Sequence, residues 1–422
     1  MKYNSNIALI LANFLTFIFL SCQQESEKPS SPSNTSPVVS NSNVSGTNSI
    51  SVVVSADYLF TSGNDGKGKN TLFCLDPKKG TLVWKRDDFF VPTDRTSFLL
   101  YKGILFVAGA ESIYALNANT GLTIWKTSVF SSPNSPCIVD DLLYIYAQTG
   151  NLYAIDANNG KIIWTTSIGS KVSDQISPST SSPTVVNNIL YVGGGDGRVY
   201  AVDAKTGSKK WDYSTGGSII NSSPAVVNGT VYIGSSDKKI YALDANTGLK
   251  KWDFQTKGSV TSSPTVAGDK VFIGSFSEII YALNANNGEK IWQYQIPDAE
   301  GYGYFVSSPI VVNNCLYIGS TTGRLFCFDS SKGTIKWLYK SDPSNRPIAS
   351  IYEIKSSPIV ANGLVYVNAG FCYTNKTGAI IALNAEVGGL IWSFSDACGE
   401  MSPVLITKDG KTYHSGVSGM QQ

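Results

Sequence analysis

Reactive side chains are scarce in this chain, and the scarcity bounds its chemistry. Its 422 residues include one histidine, His414, and seven cysteines, no two of them adjacent. One imidazole cannot build a zinc site from histidines and leaves a Ser-His-Asp relay a single place to stand. No Cys-x-x-Cys-His haem motif surrounds it. Carboxylates and amides are more numerous, but many recur at one fixed position of a repeat, where they serve a turn. The chain therefore reads as a non-enzyme, with no catalytic residue, no cofactor and no metal site assigned. A formal net charge of +2 gives no electrostatic case for nucleic acid.

The fixed position is set by the tryptophans. All eight (Trp84, Trp125, Trp164, Trp211, Trp252, Trp292, Trp337 and Trp392) have a Gly four residues earlier and an Asp or Asn eight residues earlier. Their spacings are 41, 39, 47, 41, 40, 45 and 55 residues, a period that marks a repeat architecture. One unit runs from Ser182 to Thr215. Ser182 to Val186, Ile189 to Gly193, Arg198 to Asp203 and Ser208 to Tyr213 read as short strands parted by Asn- and Gly-rich turns. Four such strands make one antiparallel sheet, the unit of a propeller blade. In the last turn, Asp or Asn hydrogen-bonds to nearby backbone and Gly takes positive φ. Trp then offers a broad apolar surface and one N–H donor to wedge adjacent blades. The expected fold is all-β: an eight-bladed β-propeller of four-stranded antiparallel blades over residues 50–422. Residues 403–413 look like the first two strands of a ninth unit, expected to close the ring by pairing with blade one near Val52 to Phe60.

Tyr241-Ala-Leu-Asp-Ala-Asn-Thr-Gly-Leu-Lys-Lys-Trp252 resembles the tryptophan-docking repeat of the PQQ-like, quinoprotein-type propellers, and the likeness covers all eight units. WD-type repeats share the period but want a Gly-His pair in each blade, which one histidine cannot supply. The resemblance implies that an active quinoprotein dehydrogenase would need a catalytic Asp and a calcium site, and many of the alcohol dehydrogenases also carry a vicinal disulfide. No Cys-Cys pair exists here. Within the PQQ-like proteins the chain looks like the BamB-type lipoproteins, which run from a lipid-anchored Cys through a short tether into eight blades.

The N-terminus fits that order. Residues 1–21 read as a lipoprotein signal peptide: Lys2 is basic, and Ile7 to Leu20 is apolar apart from Asn13 and Thr16, too short for a comfortable membrane span. Phe19-Leu20-Ser21-Cys22 resembles a lipobox, which implies lipidation at Cys22. Gln23 rather than Asp follows, favouring the outer membrane by analogy. Residues 22–49 hold the lipidated Cys and a tether rich in Ser, Asn and Pro, with an r.m.s. reach of roughly 25–30 Å.

Departures from the period fall on one side. In a four-stranded blade the 2–3 loop and the link to the next blade share a face, and the long links are 86–97, 168–181, 296–307 and 340–356. The candidate binding face takes Phe89, Phe90 and Arg95 from the first, and Asp174 and Gln175 from the second. Tyr302, Tyr304 and Phe305 come from the third, and Arg346, Tyr352 and Glu353 from the fourth. Tyr and Arg are typical interface anchors. Cys372 and Cys398, at the same end of blade eight, are the candidate disulfide in an oxidising compartment. Cys74 and Cys327 occupy the Ala slot of Tyr-Ala-Leu-Asp and read as small buried thiols; Cys315 lies across one hairpin from Cys327. The expected function is a lipid-anchored, non-catalytic scaffold that presents the variable face to envelope protein partners. The BamB-type resemblance implies the outer-membrane assembly machinery among them. The alternative is a surface receptor or adhesin for a glycan or protein, with a PQQ-dependent dehydrogenase less favoured.

Overall fold

Blade four shows why these residues fold as they do. Thr184–Val186, Ile189–Gly193, Arg198–Asp203 and Lys209–Ser214 pair in that order, antiparallel throughout. Asn187 and Asn188 join the first two strands with φ of 51° and 59°, the left-handed pair that a tight hairpin turn demands and Asn tolerates. Before the last strand the register slips by one residue at Ala201/Val202. There Asp203 Oδ1 accepts the N–H groups of Lys205 and Thr206, both at 3.1 Å.

The computed structural model describes residues 54–55, 58–64, 70–88, 98–109, 111–129, 134–147, 150–169, 181–297, 304–340, 353–369, 379–394, 405–406 and 412–413. The blade-four pattern recurs in eight four-stranded sheets, spanning 54–86, 99–128, 137–167, 184–214, 225–255, 265–295, 310–340 and 359–394. No helix occurs among the described residues. The eight-bladed all-β propeller expected from the spacing is thus the architecture observed. The core is a set of apolar slabs, each shared by consecutive blades.

Every junction is built by the same contact. The indole Nε1 of each Trp donates to a backbone carbonyl in the next blade: Trp84 to Ala118, Trp125 to Ala157, Trp164 to Ala204, Trp211 to Ala245, Trp252 to Ala285, Trp292 to Ser330 and Trp337 to Ala385, at 2.9–3.3 Å. The ring lies flat on the turn Gly of that next blade. A Cβ on Gly248 would sit 2.7 Å from Trp211, closer than side-chain carbons approach, so only Gly admits the indole. An aromatic residue of the second strand, such as Tyr232 or Phe272, tilts against the other side of the Trp at about 5.6–6.0 Å. Where it is tyrosine, its hydroxyl can donate to the same carbonyl: Tyr191 to Ala245, Tyr232 to Ala285 and Tyr317 to Ala385, each at 3.0 Å. Burial pushes the Tyr191 hydroxyl up to about 12, so it stays a donor across the physiological range.

The same contact closes the circle. Trp392 Nε1 and Tyr366 Oη both donate to Pro77 O of blade one, at 2.9 and 3.4 Å, and a Cβ on Gly80 would stand 2.5 Å from Trp392. The expectation that residues 403–413 would pair with blade one needs correction. Blade one is completed by its own strand, Val54–Ser55, whereas Leu405–Ile406 pairs with Thr412–Tyr413 in a separate hairpin. That hairpin lies beside the innermost strands of blades eight and one.

A second belt runs closer to the axis. Each blade from four to eight enters on Ser-Ser-Pro. The second Ser hydroxyl accepts the N–H of its counterpart one blade earlier: Ser182 N to Ser223, Ser223 N to Ser263, Ser263 N to Ser308 and Ser308 N to Ser357, at 2.8–3.0 Å. The first Ser accepts from its own second strand, as Ser222 does from Gly234 N at 2.9 Å. These fully buried hydroxyls satisfy backbone groups that a short innermost strand leaves over.

Candidate functional site

Topology fixes which residues share a face. With four antiparallel strands, the 2–3 turn and the link to the next blade emerge together, opposite the 1–2 and 3–4 turns. On that face each described link from blade four onward drops one apolar side chain onto a Gly at or next to the end of the second strand. A Cβ on Gly193 would lie 2.3 Å from Ile219; on Gly234, 2.3 Å from Val260; on Gly319, 2.5 Å from Ile354. Phe305 fills this role over Gly274, at 2.7 Å. It is 0% exposed and packs edge-on against Phe326. Phe305 therefore belongs to the core, and its placement on the exposed binding face is corrected.

Tyr304, its neighbour, points the other way. It is half-buried and stacks at 5.0 Å, tilted 30°, on Phe276, which is 42% exposed. Its backbone is fixed from both sides: Tyr304 N donates to Thr321 Oγ1 at 2.8 Å, and Thr321 N donates to Tyr304 O at 3.1 Å. Phe276, from the 2–3 turn of blade six, was not among the residues expected on this face. Its signal was an aromatic residue in a turn where the blades on either side carry Ser236 and Thr321. Glu353 is half-buried and forms an ion pair with Lys355 at 2.5 Å. Phe89, Phe90, Arg95, Asp174, Gln175, Tyr302, Arg346 and Tyr352 lie outside the described residues, as do Cys22, Cys372 and Cys398. All eight tryptophans are described, and all dock blades.

The carboxylates near this face are engaged in holding it. Asp237 Oδ2 accepts the Gly216 N–H at 2.8 Å and the Tyr241 hydroxyl, while Oδ1 accepts Lys239 N at 3.0 Å. Asp196 accepts the Tyr200 hydroxyl at 2.5 Å. Burial, reinforced by these carboxylates, raises both tyrosine hydroxyls above their ordinary range. Asp follows Trp at Trp211-Asp212 and Trp252-Asp253, and each Asp ends in an ion cluster: Lys209 and Arg198 on Asp212, and Lys239 and Lys250 on Asp253. Lys209 and Lys239 head the respective causes that hold these carboxyls below their usual value. Cys74 and Cys327 are buried and free, as their slot implied, and Cys315 is free. Among the described residues no three His, Cys, Asp or Glu side chains converge to hold a metal. What this face offers is contact chemistry: an aromatic pair on a rigid rim, with hydroxyl and charged neighbours.

Solved structures share the architecture. BamB from Moraxella catarrhalis matches with a TM-score of 0.60 and 18% identity over 78% of this chain and 96% of that one. The computationally designed Ika8 protein gives 0.60 and 16%, covering 79% and 97%. Quinohemoprotein alcohol dehydrogenase from Comamonas testosteroni gives 0.60 and 14%, covering 77% and 70%. At these identities the likeness concerns the fold. No curated protein sequence matches the chain. The family model described as outer membrane protein assembly factor BamB matches residues 33–185 and 169–351, more than half of the chain, and the chain belongs to that family.

Proposed function

We propose that this protein is a lipid-anchored, non-catalytic scaffold of the bacterial envelope. Cys22 carries the lipid, and the propeller's variable face binds protein partners of outer-membrane protein assembly. The observation that carries the reading is a division of labour. The repeated residues are consumed in docking one blade to the next, and the departures from the period gather on a single face. Function on a repeat scaffold resides in such departures. The Phe276–Tyr304 pair on the rim suits the reading, because a rigid aromatic surface gives contact area at low entropic cost. Membership of the BamB family supports outer-membrane assembly as the process.

Site-specific photocrosslinking in the lipidated protein tests this. A crosslinker at Phe276 or Tyr304 is expected to capture a defined envelope protein, and one at Asn246, in a 3–4 turn, to capture none. Capture from Asn246 alone would place the interface on the opposite face and refute the assignment.

A further inference from the structure

Blade seven holds a cluster that blade docking does not require. Its second, third and fourth strands are Cys315–Gly319, Arg324–Asp329 and Ile335–Lys340. Cys315 pairs with Asp329, Tyr317 with Cys327, and Cys327 with Trp337. Alternate residues of a strand share a face, so both thiols lie on the face that carries Tyr317 and Trp337. Cys327 belongs to one apolar cluster and Cys315 packs against it. The register makes them diagonal neighbours, whose Cα atoms stand about 7–8 Å apart. A disulfide needs about 4.4–6.8 Å. The backbone therefore holds two facing thiols slightly too far apart to bond each other.

That separation suits a bridging ion. With metal–thiolate bonds of about 2.3 Å, a linear two-coordinate ion spaces its sulfurs at roughly 4.5 Å. We propose that Cys315 and Cys327 form a two-thiolate site for a soft monovalent cation of the copper(I) class, with Lys336 balancing its charge. Thiolates select such ions. Two thiolates and one monovalent cation sum to one negative charge, and Lys336 Nζ lies 3.2 Å from Cys315 Sγ. The lysine reaches it because the strand bulges at Cys327/Phe328. Blade five has the same reach, with Lys251 Nζ 2.8 Å from Thr230 Oγ1. The fold thus builds an ammonium cradle at this position, and blade seven places sulfur in it. Cys327 is fully buried and Cys315 half-buried, so the ion enters past Cys315 into an apolar shell.

Binding exchanges two S–H bonds for two metal–sulfur bonds and releases two protons, with no change of oxidation state. Thiolate is the ligating form, so proton and ion compete for the same sulfurs. The test is anaerobic titration of the full chain, with Cys372 and Cys398 replaced by Ser, using copper(I) buffered by bicinchoninate and read by native mass spectrometry. One equivalent is expected. Cys315→Ser and Cys327→Ala should each abolish retention, and Lys336→Met should weaken it about tenfold. Circular dichroism checks that each variant folds, and Cys315→Ser, at the half-buried end, leaves the core intact. Retention that survives Cys315→Ser, or no retention by the parent protein, overturns the proposal. So does ready air oxidation to a Cys315–Cys327 disulfide.

Discussion

Trp252 and Trp292 offer a matched pair for testing how the ring is held. They are 8% and 9% exposed, and each stacks on a second-strand aromatic at 5.7–5.8 Å. Each donates at 3.0 Å to a carbonyl of the next blade. Trp292 also meets Phe328 at 6.1 Å, but the difference that matters here is at the accepting carbonyl. Ala285 O also receives the Tyr232 hydroxyl at 3.0 Å, whereas the aromatic residue stacked on Trp292 is Phe272, which has no hydroxyl to offer Ser330 O. Replacing either Trp by Phe removes similar apolar area and one hydrogen bond. In Trp252→Phe the carbonyl keeps a donor. In Trp292→Phe it loses the only side-chain donor among the described residues, and a buried unsatisfied carbonyl costs about 1–3 kcal/mol. Trp292→Phe should therefore destabilise by about 1–2 kcal/mol more than Trp252→Phe, read as the difference in urea midpoint at constant slope. Phe272→Tyr, which restores a hydroxyl, should recover about 1 kcal/mol of that difference in the Trp292→Phe background. Equal losses, or no recovery, would refute carbonyl satisfaction as the distinguishing term.

Two further outcomes follow from the same geometry. Gly248→Ala combines a φ of 73° with a Cβ driven into Trp211, while Gly229→Ala combines a φ of 68° with open space; the second should cost about 1–2 kcal/mol and the first clearly more, with a shifted Trp fluorescence maximum that Gly229→Ala lacks. Lys239 and Lys250 hold the Asp253 carboxyl below its ordinary value of 3.8, so its stabilisation is full above about that pH and fades as pH falls through the lower, folded value. Because both lysines are part-exposed, the contribution is below about 1 kcal/mol; Asp253→Asn should flatten the fall in melting temperature between about pH 4 and pH 2, and an unchanged fall would remove Asp253 as a contributor.

The blades were legible because a fixed spacing encodes them. Gly four residues before Trp is demanded by a ring lying on backbone, and Asp or Asn eight residues before it by unpaired turn amides. Both requirements are written in residue types. Ring closure followed the same rule rather than the expected hairpin pairing: Trp392 docks on the first blade as every other Trp docks on the next. The serine belt was not legible, since Ser223 finds its donor in another blade and only three-dimensional curvature brings them together. Phe305 was misplaced because two adjacent aromatics in an irregular link cannot both face outward, and no periodicity says which turns in. Phe276 escaped notice as one residue in a short turn, made prominent by Tyr304 from a different blade.

The central claim is that the ring is scaffold and the irregular links are the working surface. Replacing residues 341–353 with the shorter link of residues 215–221 would leave every docking Trp, Gly and serine in place. If the claim holds, the variant should keep its melting temperature within a few degrees and lose the partner that the parent protein captures from envelope extract. Full retention of that partner by a stably folded variant, with the 298–303 link likewise exchanged, would contradict it.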